Sequence, residues 1–187
     1  MIAVLMTLLA CSDVTKPGSI DDHVHGVIES VTLTFSPQSG GADVASEYHD
    51  GEADPITLAA GEVYDLSVAF GDHDHDSTGE IEADAEEHQI FFLGEGVDSE
   101  ATGTTGGMLS IAYADSDDNG LPLGLWAEAE ATAAGEVTLG VVLRHLPPEN
   151  DVALKVDGLA ETVASDGLAA IGGESDVDVD FFVEITE

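Results

Sequence analysis

The chain has 187 residues and carries 39 Asp and Glu against three Lys and Arg, a formal charge of −36 at pH 7. With Lys16, Arg144 and Lys155 as its cations it has no basic patch for phosphates, which excludes DNA and RNA as ligands and disfavours anionic lipid surfaces. The 43% hydrophobic fraction sets it apart from acidic disordered tails, and the length suits one domain, expected over residues 26–187.

The chain opens with MIAVLMTLLA, an apolar run far shorter than the roughly 20 residues that span a bilayer. Residues 1–10 are expected to be a signal peptide. The Lys or Arg of a signal n-region is missing, as expected if translation starts further upstream. The following Leu8-Leu9-Ala10-Cys11 resembles a bacterial lipobox, which makes Cys11 the expected lipidation site. A buried cysteine in an ordinary first element is the alternative. A single cysteine forms no internal disulfide, so stability is left to the core and to any bound metal. Residues 11–25 are polar and non-periodic and read as a lipidated tether.

Beyond Gly26 the dominant signal is period-two alternation broken by Gly, Asp, Asn and Pro clusters. Strands are expected at 31–35, 64–70, 109–113, 126–130, 137–143 and 177–181, with 89–93 as a short buried strand. Thr78 to His88 is rich in Ala and Glu and predicts a short helical or turn segment, while 158–173 reads as a loop with a helical turn. Many strands without a βα rhythm predict an all-β fold, an antiparallel β-sandwich of immunoglobulin-like type.

Four stretches together resemble one family: Glu86-Glu87-His88-Gln89-Ile90-Phe91-Phe92, Tyr113-Ala114-Asp115-Ser116-Asp117-Asp118-Asn119-Gly120 leading to Gly124-Leu125, Leu143-Arg144-His145-Leu146-Pro147, and Gly172-Gly173-Glu174-Ser175-Asp176-Val177-Asp178-Val179. In this order they look like a group of small secreted bacterial lipoproteins, common in Bacteroidetes and often labelled type 1 periplasmic-binding-fold proteins. The resemblance implies an exported, lipid-anchored, β-rich protein and carries no catalytic residues with it; the expected location is the bacterial cell envelope, at the outer membrane on its periplasmic or surface face. A periplasmic-binding fold needs alternating strands and helices in larger lobes, so the alternation here favours the sandwich over that label.

Histidine is the most suggestive residue type, because seven occur among so many carboxylates. They include Asp21-Asp22-His23-Val24-His25 and Asp72-His73-Asp74-His75-Asp76. Imidazole with carboxylate suits zinc and other first-row metals. Alternate residues of an extended chain face one way, so His73 and His75 could chelate one ion; Asp84 and His88, four apart, would share a helical face. Such tracts also occur as flexible surface loops with nonspecific metal affinity. His145 falls in phase with Val137, Leu139, Val141 and Leu143, and reads either as a satisfied structural histidine or as a ligand with His88 if their strands are neighbours. Arg144 is expected on the opposite face, paired with an acid.

Asp115-x-Asp117-x-Asn119-Gly120 copies the first half of a calcium loop, but the twelfth position is Trp126 rather than Glu. The same residues also favour a tight turn. Neither a nucleophile elbow nor a phosphate loop is present, so the chain is not expected to be an enzyme. The reading is an envelope lipoprotein that binds divalent cations, Zn2+ first and Ca2+ second, through acidic, His-bearing loops. Its expected partner is an outer-membrane receptor or transporter, and it meets the membrane only through its lipid. The other reading is a structural or adhesive module for a protein or glycan, with an acidic surface that only solvates.

Overall fold

The computed structural model describes residues 28–72 and 75–187. The signal, the tether with Cys11, His23, His25 and His73 lie outside the described residues. The strands are β1 (Ser30–Pro37), β2 (Val44–His49), β3 (Glu52–Ala53), β4 (Ile56–Ala59), β5 (Val63–Asp72), β6 (His75–Asp76), β7 (His88–Leu93), β8 (Val97–Asp98), β9 (Leu109–Tyr113), β10 (Trp126–Ala131), β11 (Gly135–His145) and β12 (Glu174–Thr186). Helix α1 (Thr78–Ala83) precedes a 3-10 turn at Ala85–Glu87, and α2 (Leu159–Asp166) precedes another at Leu168–Ala170.

The strands form two sheets. The larger runs β3-β2-β1-β5-β10-β9-β8 with β6 added beside β5, and the smaller runs β4-β12-β11-β7. The fold is the expected all-β sandwich with a short helix at 78–83. It departs from a purely antiparallel arrangement in two places, where β4 runs parallel to β12 and β8 parallel to β9. Both are short strands at sheet edges, and the partners of each parallel pair are joined through longer stretches of chain, residues 60–173 and 99–108, rather than by hairpins.

One core lies between the sheets, where Leu33, Phe35, Leu66, Phe70, Ile90, Phe92, Leu139, Val141 and Phe181 are almost wholly buried. This is the inward face that alternation dictates, and each such side chain contributes about 1.5–3 kcal/mol. A second cluster covers the outer face of the smaller sheet, where α2 lays Leu159, Ala160 and Val163 over Phe91, Val142 and Leu146. Strands β7 and β11 are therefore buried on both faces, which explains the unbroken apolar run Ile90-Phe91-Phe92-Leu93. The expected loop at 158–173 is in this way a helix with an apolar face.

Candidate metal centre

The first strand turn after α1 delivers His88 to the start of β7, which pairs with β11 in the register His88↔His145, Ile90↔Leu143 and Phe92↔Val141. Alternation then places both histidines on the face that carries Ile90, Phe92, Val141 and Leu143 into the core. The two imidazoles stack, with ring centroids 4.8 Å apart and planes within 9°.

His88 is fully buried, and its Nδ1 lies 2.9 Å from the carbonyl oxygen of Asp84. A carbonyl only accepts, so Nδ1 carries the hydrogen and donates it. Nε2 is left on the other side of the ring, 3.8 Å from Oδ2 of Asp176. Nε2 of His145 lies 3.6 Å from Oε2 of Glu87. One ligand atom each from His88, His145 and Asp176 fall within 4.8 Å of one another, a group that could hold a metal ion. A backbone carbonyl that fixes the tautomer of a histidine is the usual support of a metal-ligating imidazole.

A β-bulge carries Asp176. The register pairs Leu143 with Val177 and then Arg144 with Ser175, so Asp176 is an extra residue with no Cα partner on β11. A regular strand would place residue 176 opposite Arg144, on the sheet's other face; the bulge re-aims it toward the histidines. Arg144 secures this segment from behind, donating through Nη2 to the carbonyls of Gly172 (2.6 Å) and Gly173 (2.7 Å) and through Nη1 to Oγ of Ser175 (3.0 Å). It therefore occupies the expected face, but its hydrogen bonds go to carbonyls and a hydroxyl in place of the expected acid. Gly173 has φ +75°, and a Cβ there would strike the carbonyl oxygen of His145. Only glycine allows β12 to start this close to the site.

Of the residues expected from sequence, His88 and His145 are brought together directly. Asp84 takes part, but as the C-cap of α1 and through its carbonyl, because the helix ends before His88 and no shared helical face exists. His75 lies elsewhere, exposed on β6, with Nε2 3.2 Å from Oε1 of Glu80. Asp176 and Glu87 were not singled out as ligands. Asp176 carried a signal in the Gly172-Gly173-Glu174-Ser175-Asp176 stretch, where paired glycines precede a strand, but the bulge itself has no sequence signature.

The Asp115–Asn119 segment is a turn held by its own carboxylates. Asp115 accepts from the amides of Gly124 (2.7 Å) and Trp126 (3.0 Å), and Oδ1 of Asp117 accepts from those of Asn119 and Leu121, both at 2.9 Å. Oδ2 of Asp117 meets the Lys155 ammonium at 2.9 Å, and both side chains are buried. Lys155 also donates to the carbonyl of Ala85 at 2.7 Å. Burial pushes the Asp117 carboxyl up, but hydrogen bonds from Lys155 and the two amides together outweigh it and hold it below its ordinary value. Burial likewise lowers the Lys155 ammonium, against the opposing pull of Asp117, Asp115 and Glu86. Beside this turn opens a cleft of about 390 Å³ whose lining includes Glu82, Asp84, Glu86, Glu87, Asp118 and Trp126. Glu87 thus borders both the cleft and the imidazole pair.

Comparison of the chain with family models, with curated proteins and with solved structures finds no match.

Proposed function

We propose that this protein is a non-enzymatic, lipid-anchored binder of a divalent first-row metal, Zn2+ by preference, which it captures in the cell envelope and passes to a membrane receptor or transporter. The carrying observation is the convergence of His88, His145 and Asp176 at the end of the core. Two nitrogens and a carboxylate are a borderline ligand set, suited to zinc and poor for calcium or magnesium, which take oxygen ligands. The acidic surface supports the same reading, since its field concentrates cations and repels anions.

Calorimetric titration with Zn2+ tests it. The expected result is one saturable site that His88→Ala abolishes and His75→Ala leaves in place. Binding no tighter than millimolar, or binding indifferent to His88→Ala, would overturn it. The adhesive alternative draws on Trp126, which is 56% exposed on the larger sheet; a partner captured equally well with metal chelated, and lost in Trp126→Ala, would favour that alternative.

A further inference from the structure

We infer that Glu87 supplies a fourth ligand and closes the site around a tetrahedral zinc-class ion, leaving no position open for a substrate or exchangeable water; this rests on the metal-binding reading above. Zinc bonds of about 2.0–2.1 Å to four ligands place neighbouring ligand atoms about 3.3–3.4 Å apart. The two separations flanking the imidazole pair, 3.8 Å from His88 to Asp176 and 3.6 Å from His145 to Glu87, are close to that edge length. Each imidazole thus faces its own carboxylate; Glu87 stands outside the group that His88, His145 and Asp176 form within 4.8 Å, and joins it by turning its carboxylate inward as an ion draws the ligand atoms together.

Charge supports the same count. His88 is wholly buried, His145 and Glu87 are partly so, and Asp176 stands at the exposed edge of the site. A dication beside two neutral imidazoles and Asp176 alone would leave an uncompensated positive charge there, which a low-dielectric site penalises. Glu87 makes the assembly neutral. Its backbone is already fixed against β11, because its carbonyl accepts the amide of Leu146 at 2.6 Å, and its side-chain torsions suffice to turn the carboxylate onto the ion.

The test uses Zn2+ titration together with Co2+ as a visible-absorbing substitute, on the unaltered chain, Glu87→Gln and Glu86→Gln. Glu86 carries the same charge one residue away, but its Oε1 accepts from Nδ2 of Asn119 at 3.2 Å, so it controls for the general field. Glu87→Gln is expected to weaken Zn2+ binding on the order of tenfold or more, with Glu86→Gln within about twofold of the unaltered chain. Azide should leave the Co2+ spectrum of the unaltered protein unchanged and perturb that of Glu87→Gln, where water takes the vacated position. Equal weakening by both variants, no weakening by Glu87→Gln, or an azide response in the unaltered protein would overturn the role of Glu87 while leaving the metal site standing. Failure of the unaltered chain to bind either ion would instead remove the underlying reading.

Discussion

At the scale of single residues, the site depends on how His88 is held. Its Nδ1 is committed to the Asp84 carbonyl, so the ring presents one defined nitrogen to Asp176. Asp176→Asn keeps the shape but removes the charge, and is expected to weaken Zn2+ on the order of tenfold or more while thermal unfolding of the metal-free protein shifts little, as titration and calorimetry would show. Lys155 is the contrasting case. It neutralises Asp117 in the interior, and Lys155→Met strands that carboxylate; a loss of about 3–5 kcal/mol is expected in urea unfolding at neutral pH. The sign with pH follows from the lowered Asp117 value. Its stabilisation is complete above the ordinary carboxylate value of 3.8 and disappears as pH falls through the lower folded value. The stability difference between the unaltered chain and Asp117→Asn should therefore shrink in acid below that point. A difference that stays constant through the acid range would show that Asp117 acts through shape alone.

At the scale of elements, β12 decides whether the ligands meet. Its inward residues Val177 and Phe181 are legible as alternation over 177–181, as is the inward phase of His145, whereas Val183 and Ile185 extend the strand beyond that stretch and the Ala- and Glu-rich run before His88 reads as helix. The direct pairing of His88 and His145 was legible only as a condition, because nothing local states which strands are neighbours. Asp176 was not legible, since counting by twos from Val177 sends it outward and only the bulge reverses that. Strands β2 and β4 were missed for a related reason: β2 is largely exposed and β4 has four residues, so neither offers a sustained period. Deleting residue 176 would leave the pairs Leu143–Val177 and Arg144–Ser175 in place and regularise the ladder. The expected outcome is a folded protein, by circular dichroism, that no longer binds Zn2+; retained binding would show that the bulge does not supply the ligand. Gly173→Ala should act through the same segment, pushing its backbone off His145 and costing about 1–2 kcal/mol for the left-handed conformation alone.

At the scale of the whole molecule, two of the three cations flank the site. Arg144 holds the start of β12, and Lys155 ties the turn after α1 to the Asp117 loop. The remaining surface is a nearly unbroken anionic field. Self-repulsion opposes the compact state, and on the proposed function the same field would draw a dication toward the cleft beside Glu87. Added salt screens both over about 8–10 Å at physiological strength, so it should act with opposite signs. Unfolding midpoints are expected to rise with NaCl while the stopped-flow association rate for Zn2+ falls. A rate insensitive to salt would mean that the acidic coat plays no part in capture.

The most direct measurement is anomalous diffraction at the zinc absorption edge from crystals of the protein grown with Zn2+. The account predicts a single dominant peak within bonding distance of Nε2 of His88, Nε2 of His145 and the Asp176 carboxylate. Peaks scattered over surface carboxylates, with none beside the Nε2 atoms of His88 and His145, would contradict it.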